Sequence, residues 1–324
     1  MAARKIRKLA LGVHLWLGVI LALYGVALGF SGAVITFKDE LKYWQNPELH
    51  DSGARGFGAD PDRVLAQVRE RYPDWQPLSF TWPHDQTTNW MIFLLRGSQS
   101  LEVYVNPETG VLVGTHDPKS GWLGWIETLH TNLAWGRNGR LANGYGAIGI
   151  GLLCLTGLYL VWPRLRHLRA LLLSRPGQGS HFALGAFSLV FLLGLAFTGA
   201  YYTWSKNYIA VVNAVLPRSG ELRLPPLAAG AAKVSLWRLM EEAQKAMPGK
   251  TIHRFPIPNA KFPLRVTFRE ASFAEFHRVS AVVLDPRTGA VLQVQPLAQR
   301  PWGDWFLGWL SGFHFGVFGG WPVK

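Results

Sequence analysis

Charged residues are absent from three long stretches of this chain. Residues 9–37, 141–163 and 176–205 contain no Asp, Glu, Lys or Arg, and apolar side chains dominate each stretch. A helix that rises about 1.5 Å per residue needs about 20 apolar residues to cross a hydrocarbon core of about 30 Å. The pattern therefore predicts three membrane-spanning helices. The first stretch is roughly twice as long as the apolar part of a cleaved signal peptide, so we expect it to remain as an anchor.

The basic residues that flank these stretches predict the orientation of the chain. Four of them precede the first span and four more, with no acidic residue among them, follow the second: Arg4, Lys5, Arg7 and Lys8, then Arg164, Arg166, Arg169 and Arg175. Short segments rich in Lys and Arg stay on the cytoplasmic side of a membrane. We therefore expect a cytoplasmic N-terminus, with the two long polar segments on the opposite side.

This topology divides the chain into six predicted parts. They are the N-terminus with the first span (1–37), a first outer module (38–140), the second span (141–163), a basic loop (164–180), the third span (181–205) and a second outer module (206–324).

Each outer module has the pattern of a small α+β domain. Asp60 followed by Pro61 predicts the start of a helix that runs to about Arg71, and Ser235 predicts the start of a helix that runs to about Ala246. Alternating or β-rich segments follow each helix and predict strands at 79–82, 90–95, 101–105 and 111–114, and at 264–268, 278–284 and 290–294. We therefore expect each module to place one helix over an antiparallel sheet.

An internal repeat relates the two halves of the chain. When His14 is aligned with His181, the first and third spans match without a gap. In this alignment F-S-G-A at 30–33 falls on F-T-G-A at 197–200. The two copies run in the same direction, so this parallel internal repeat predicts a pseudo-two-fold axis along the membrane normal.

The repeat extends into the outer modules. N-P-E-T-G at 106–110 corresponds to D-P-R-T-G at 285–289, and an L-G-W triplet precedes both His130 and His314 at the same distance. A span begins shortly after His130, whereas the sequence ends shortly after His314. We therefore expect the natural protein to have a fourth span.

Composition and charge exclude several classes of protein. Hydrophobic residues make up 49% of the 324 residues and charged residues 16%, which excludes a disordered chain. The formal net charge is +13, but part of it belongs to the basic segments that predict topology, so it predicts no nucleic-acid partner. The single cysteine, Cys154, lies in the second span, which excludes intrachain disulfides, covalent c-type haem, iron–sulfur clusters and cysteine-rich zinc sites. No P-loop or hydrolase motif occurs, and no soluble cytoplasmic segment is large enough for a flavin or nicotinamide.

The histidines are the residues best suited to carry chemistry. Of ten histidines, only His14, His130, His181 and His314 recur at equivalent positions of the repeat. The symmetry places His14 and His181 near the cytoplasmic face, and His130 and His314 near the outer face. Two imidazoles that face each other across a two-fold axis suit a planar macrocycle, so we predict bis-histidine haem, one near each face. The candidate counter-ions for the haem propionates are Arg137 and Arg140 on the outer side and Arg7, Lys8 and Arg164 on the inner side.

The same histidines also permit other interpretations. A histidine within a span can simply hydrogen-bond a neighbouring helix, and the outer histidines lie among tryptophans that are typical of a membrane interface. The chain would then be a membrane-anchored protein whose outer modules bind a periplasmic peptide or protease, without redox activity. A third interpretation is a metal-ion site or transporter that uses the four histidines.

Several of these motifs together resemble the PepSY-associated transmembrane family. They are H-L-W-L-G at 14–18 with F-S-G-A, the turns P-E-T-G and P-R-T-G, L-H-T-N-L-A-W-G around His130 and G-F-H-F-G-V-F-G-G around His314. The likeness covers nearly the whole chain. This family includes iron-regulated proteins of the bacterial inner membrane, among them reductases that release iron from ferric siderophores in the periplasm.

The resemblance implies a membrane α-helical bundle of four spans, two periplasmic PepSY-like α+β modules and b-type haem. It also implies an oxidoreductase that adds one electron to an Fe(III) chelate. Siderophores offer hard oxygen ligands that hold Fe(III) far better than Fe(II), so one electron weakens the chelate without breaking a covalent bond. Since we find no flavin or nicotinamide site, we expect the electrons to come from membrane quinol or from a cytoplasmic reductase.

Overall fold

The structure is a computed structural model, and it describes residues 2–83, 87–163, 178–220, 223–224, 234–259, 261–270 and 279–316. The chain divides into two compact units. Of the described residues, those up to Thr36 and those within Trp125–Val215 and Phe313–Gly316 form the helical unit, and those within Phe37–Gly124 and Leu216–Gly312 form the sheet unit.

The described helices are numbered here in chain order. They are α1 (Ala2–Thr36), α2 (Lys38–Gln45), α3 (Pro47–His50), α4 (Pro61–Arg71), α5 (Gly121–Asn132), α6 (Gly136–Val161), α7 (Gln178–Thr203), α8 (Ser205–Val215), α9 (Leu236–Ala246) and α10 (Trp302–His314), with a 3-10 turn at Leu297–Gln299. The sequence did not predict α2, α3, α5, α8 or α10.

The three predicted spans are helices. Among the described residues, three helices are long and apolar enough to cross a membrane: Arg4–Thr36 in α1, all of α6, and Gly179–Thr203 in α7. Helix α6 begins at Gly136, before the predicted span, so it also includes the polar residues at 137–140. It packs against both α1 and α7. Large apolar side chains on the outer faces are exposed, Leu23 by 80% and Phe187 by 79%, as expected of surfaces that a bilayer covers.

Some predicted features lie outside the described residues. They are the four basic residues of the loop after the second span and the first residue of one predicted strand: Arg164, Arg166, Arg169, Arg175 and Arg278.

The strands of both outer segments form one sheet. In chain order the described strands are β1 (Gln76–Thr81), β2 (Trp90–Arg96), β3 (Gln99–Val105), β4 (Leu112–His116), β5 (Ile252–Pro256), β6 (Leu264–Phe268), β7 (Ser280–Leu284) and β8 (Val291–Gln295). Their order across the sheet is β4-β3-β2-β1-β5-β6-β7-β8, and neighbouring strands are antiparallel.

The sequence predicts two separate sheets, and the structure corrects this by joining them through β1 and β5. The sequence did not predict β5, because His253 and Arg254 interrupt its apolar pattern. Without β5, strand β1 would be a sheet edge with unpaired backbone groups. In the joined sheet Phe80 of β1 lies opposite Phe255 of β5, and both side chains are fully buried in one core.

Helices α4 and α9 begin at the two predicted caps. The Asp60 carboxylate accepts a hydrogen bond from the backbone N–H of Asp62 at 2.9 Å, and the Ser235 hydroxyl accepts one from the N–H of Arg238 at 3.2 Å. Such side-chain acceptors satisfy N–H groups that the first turn of a helix leaves unpaired. The apolar faces of both helices join the core of the sheet with Val64, Leu65, Val68, Leu236, Leu239, Met240 and Ala243.

The two Pro- and Gly-containing turns have the same conformation. Gly110 and Gly289 have φ angles of +75° and +78°, in the left-handed region that favours glycine. The N–H of Gly110 donates to the Asn106 carbonyl at 2.8 Å, and that of Gly289 donates to the Asp285 carbonyl at 2.8 Å. Each turn leads into the outermost strand of its half of the sheet, β4 or β8.

A buried ion pair fixes α2 to strand β3. The Lys42 ammonium lies 2.8 Å from a Glu102 carboxylate oxygen, and their side chains are only 9% and 8% exposed. The Tyr104 hydroxyl donates to the same carboxylate at 3.0 Å, and the His50 ring of α3 packs edge-on against the Tyr104 ring at 4.8 Å between centres. The short helices α2 and α3 are thus tied to the sheet by a satisfied polar cluster.

Removal of the Lys42 ammonium should destabilise the sheet unit strongly. Lys42→Met leaves the Glu102 carboxylate buried without its cation, which typically costs about 3–5 kcal/mol. We expect a large drop in the thermal midpoint of the detergent-purified protein, followed by near-UV circular dichroism. Lys245→Met is the control, because Lys245 pairs with Glu242 on an exposed helix surface and such pairs contribute under about 1 kcal/mol. Equal shifts in the two variants would contradict the prediction.

The histidines beside this pair should make the sheet unit less stable in mild acid. Burial lowers the pKa of His50 and of His116 below 6.5, and outweighs the opposite effect of the Glu102 carboxylate. As the pH falls, these two histidines are protonated in the unfolded chain before they are protonated in the folded protein. The folded protein therefore loses stability between about pH 6.5 and the lower pKa values of the folded state. The thermal midpoint should be lower at about pH 5.5 than at about pH 7.5. The double variant His50→Gln/His116→Gln should show a smaller difference, and an undiminished one would count against this cause.

Candidate functional site: two histidine pairs

The four histidines of the repeat lie in two pairs within the helical unit. In pair 1 the ring centres of His14 (α1) and His181 (α7) are 6.1 Å apart, with an angle of 72° between the ring planes. In pair 2 the ring centres of His130 (α5) and His314 (α10) are also 6.1 Å apart, with an angle of 54°. Of the remaining histidines, His50, His116 and His253 lie in the sheet unit, and His84, His167 and His277 lie outside the described residues.

The two pairs lie toward opposite ends of α1 and α7. Pair 1 is formed by residues in the N-terminal halves of these helices, whereas the histidines of pair 2 contact Ser31 and Thr198 in their C-terminal halves. At a rise of about 1.5 Å per residue, position 31 is about 25 Å from position 14 along α1. Position 198 is the same distance from position 181 along α7. This separation is close to the thickness of a hydrocarbon core.

In pair 1, helix α6 holds the Nδ1 atom of one imidazole. His14 Nδ1 lies 3.1 Å from the Leu153 carbonyl oxygen and 3.2 Å from the Thr156 hydroxyl oxygen. A carbonyl only accepts hydrogen bonds, so Nδ1 carries the proton and Nε2 has the lone pair. For His181, whose side chain is exposed, no hydrogen bond is found within the described part of the chain.

In pair 2, a hydroxyl from a long helix contacts each Nδ1 atom. Ser31 Oγ of α1 lies 3.1 Å from His130 Nδ1, and Thr198 Oγ1 of α7 lies 3.0 Å from His314 Nδ1. Both hydroxyl residues are fully buried. The Tyr202 ring packs against the His314 ring at 5.0 Å between centres. Each imidazole of this pair is therefore held at Nδ1 and leaves Nε2 for coordination.

Both imidazoles of pair 2 are neutral near pH 7. Burial lowers the pKa of His314 to about 4, and the neighbouring His130 acts in the same direction. Burial also lowers the pKa of His130, against an opposite effect of the Leu28 carbonyl. The neutral imidazole is the form that binds a metal.

The end of α5 is fixed beside His130. The Asn143 side chain of α6 donates to the His130 carbonyl at 2.7 Å, and the Tyr24 hydroxyl of α1 donates to the Asn143 carbonyl at 3.1 Å. Two of the three residues that connect α5 to α6, Leu133 and Ala134, have positive φ angles of 52° and 54° without being glycine. Such strained residues persist only where the surrounding structure holds them.

The spacing within each pair fits two axial ligands of one haem iron. An imidazole nitrogen lies about 2 Å from a bound first-row metal and the ring centre about 1 Å farther out, so two opposite imidazoles have centres about 6 Å apart. Both pairs have this separation, at 6.1 Å. Two imidazoles also match the donor set, because the porphyrin supplies the other four ligands.

A site for a bare metal ion has less support from the same donors. Within the residues described, no group of three or more His, Cys, Asp or Glu side chains could hold a metal ion. Zinc and similar ions are bound by three or four protein ligands, whereas each pair offers two. The pairs therefore fit a haem better than a bare ion.

Arg137 and Arg140 lie in the first turn and a half of α6, and both side chains are exposed. The backbone carbonyl of Arg140 accepts a hydrogen bond from Thr203 Oγ1 of α7 at 3.1 Å. Their role as counter-ions for propionates stays a prediction.

Thr156 is a partner of His14 that the sequence did not predict. The signal was present, because L-C-L-T-G at 153–157 has the same pattern as L-G-F-S-G at 28–32 and L-A-F-T-G at 195–199. Only the last two were matched, since the repeat alignment compares the first span with the third and leaves the second without a counterpart.

Comparison with known proteins identifies the family to which the chain belongs. No curated protein sequence matches the chain. The family model described as "PepSY-associated TM region" matches residues 11–324, which include most of α1, all of α6 and α7, the sheet and both histidine pairs. The chain therefore belongs to the family of the PepSY-associated TM region.

Proposed function

We propose that this membrane protein binds two b-type haems, one at each histidine pair, and transfers electrons across a bacterial inner membrane to reduce ferric siderophores in the periplasm. The observation that carries the proposal is the pair geometry. Two imidazole pairs with the same 6.1 Å separation occur toward opposite ends of the same two apolar helices.

The haem would supply reversible one-electron chemistry at each end of the helical unit. The chain itself supplies the ligands and their surroundings. His14 and His181 would hold one iron, and His130 and His314 the other. The exposed Arg137 and Arg140 would pair with propionates.

The overall reaction balances without a group transfer. Each Fe(III) chelate gains one electron and becomes an Fe(II) chelate. A membrane quinol as donor would lose two electrons, release two protons and reduce two chelates, whereas a cytoplasmic reductase would supply the electrons singly or in pairs. Hard oxygen ligands bind Fe(II) more weakly than Fe(III), so reduction is sufficient to release the iron.

The proposed direction of transfer rests on charge. The basic segments at the N-terminus and after the second span favour the cytoplasmic side, which places pair 1 inside and pair 2 outside. The sheet unit would then lie in the periplasm, where ferric siderophores arrive.

A reduced-minus-oxidised absorption spectrum of the detergent-purified protein tests haem binding. We expect sharp low-spin b-type bands and about two haems per chain, because each pair offers two axial imidazoles. His14→Ala should remove one haem and His314→Ala the other. His116→Gln is the control, since His116 lies in the sheet unit, and it should keep both haems.

Protein expressed with ample haem and showing no such bands would contradict the haem assignment, as would unchanged haem content in both alanine variants. Either result would favour a binding protein in which the histidines are structural.

The reductase activity has its own test. Anaerobically reduced protein is mixed with a ferric siderophore and a chelator that gives a coloured complex with Fe(II). We expect re-oxidation of the haem bands together with stoichiometric formation of the coloured complex. The apoprotein is the control. Reduced bands that persist in the presence of several ferric chelates would contradict the activity while leaving haem binding intact.

A further inference from the structure

Three of the four paired histidines contact helix segments that share one pentapeptide pattern. The pattern is Leu-x-x-Ser/Thr-Gly, and it occurs at 28–32 in α1, at 153–157 in α6 and at 195–199 in α7. These segments contact His130, His14 and His314 respectively. Three different helices thus present the same side chains to three imidazoles.

The hydroxyl of each pentapeptide has only one proton, and the helix backbone takes it. Ser31 Oγ donates to the Ala27 carbonyl at 2.6 Å, Thr156 Oγ1 to the Leu152 carbonyl at 2.8 Å, and Thr198 Oγ1 to the Gly194 carbonyl at 2.8 Å. All three bonds are shorter than the corresponding contacts with the imidazoles, which measure 3.0 to 3.2 Å. The hydroxyl oxygen can therefore act only as acceptor toward the imidazole.

An acceptor at Nδ1 selects one tautomer. Nδ1 must carry the proton in order to donate to the hydroxyl oxygen, so the lone pair is on Nε2. The Leu153 carbonyl reinforces this choice for His14, because a carbonyl also only accepts.

The glycine of two of the three pentapeptides makes room for the ring. A Cβ atom at Gly32 would lie 3.0 Å from His130 Cε1, and a Cβ at Gly157 would lie 3.0 Å from His14 Cε1. At Gly199 the distance to His314 Cε1 would be 3.6 Å, an ordinary contact. In two of the three cases a larger residue would push against the imidazole.

We infer that the Leu-x-x-Ser/Thr-Gly pentapeptide is a ligand-positioning element, in which Ser31, Thr156 and Thr198 set the Nδ1–H tautomer so that Nε2 meets the haem iron. In two of the pentapeptides the adjacent glycine, Gly32 or Gly157, also sets the place of the ring. This inference rests on the proposed haem binding. The hydroxyl residues are positioning residues that act through the histidines.

Serine and threonine also bond to their own helix in membrane helices for purely structural reasons, so the test needs a readout that packing alone would not move. A hydrogen bond that Nδ1–H donates makes the imidazole a stronger electron donor to the iron and favours Fe(III). Loss of the acceptor should therefore raise the midpoint potential of the haem in that pair and leave the other haem unchanged.

The experiment measures the midpoint potential of each haem by spectroelectrochemical titration, together with haem content. Thr198→Val keeps the shape of the side chain and removes the acceptor, so we expect a higher potential for the haem of pair 2 and haem binding about 10- to 100-fold weaker at that site. Thr198→Ser restores the hydroxyl and should restore both values. Thr156→Val should change the haem of pair 1 in the same direction but by less, because the Leu153 carbonyl still accepts from His14 Nδ1.

Ser188→Ala is the matched control for the hydroxyl. Ser188 also lies in α7 and donates to the carbonyl four residues earlier, Leu184, at 2.7 Å, but it contacts neither pair. Loss of the Ser188 hydroxyl should leave the midpoint potentials of both haems unchanged. If Thr198→Val has the potentials and haem content of Ser188→Ala, the positioning role is wrong while haem binding stands. A wild-type protein without haem would instead overturn the proposed function and this inference together.

The glycines give an independent test of the same element. Gly32→Ala should lower the haem content at pair 2 and Gly157→Ala at pair 1, whereas Gly199→Ala should be tolerated because its Cβ has space. Gly12→Ala is the control in α1, since a Cβ there would meet no atom within 4 Å. Haem content that is the same in all four variants would contradict the role of the glycines.

Discussion

The organisation of the helical unit depends on one constraint, which is that a polar side chain among apolar helices must find its hydrogen-bond partner within the protein. The backbone of a long helix is already paired with itself and offers few acceptors. Serine and threonine are exceptions, because their hydroxyl donates to the preceding turn and still presents an acceptor to a neighbour. Ser31, Thr156 and Thr198 serve in this way, and each has an imidazole beside it. The positions of these hydroxyls therefore determine where the histidines can lie.

In the sheet unit, the groups that must find hydrogen-bond partners are the backbone donors and acceptors of the strands. A four-stranded meander ending in β1 or in β5 would expose an edge strand with free donors and acceptors. The pairing of β1 with β5 removes both inner edges, and it leaves β4 and β8 as the edges of the joined sheet. It also merges two small cores into one, with Phe80 and Phe255 at the junction. A larger shared core buries a greater fraction of its surface than two separate small ones.

The sequence predicted the elements that depend on local chemistry, which are the long apolar helices and the capped helices. Charge-free stretches located the three long helices, and the caps at Asp60 and Ser235 located two more. It did not predict β5, because polar residues break the alternation of that strand and only its pairing with β1 makes it a strand. The repeat selected four histidines that the structure brings together in pairs. It could not find Thr156, since that partner comes from the span without a counterpart in the alignment, and the contact joins residues far apart in the chain.

Each of the three long helices serves both pairs. Helix α1 carries His14 of pair 1 and, near its other end, Ser31 beside pair 2; α7 carries His181 and Thr198 in the same arrangement. Helix α6 holds His14 through Thr156 and fixes the end of α5 through Asn143. The distance between the pairs is therefore set by the lengths of continuous helices and not by the conformation of loops. Helices keep such a distance nearly constant, because each turn has a fixed rise of about 5.4 Å. A constant separation is what electron transfer between two fixed sites requires, so the architecture that satisfies the polar groups also suits the proposed chemistry.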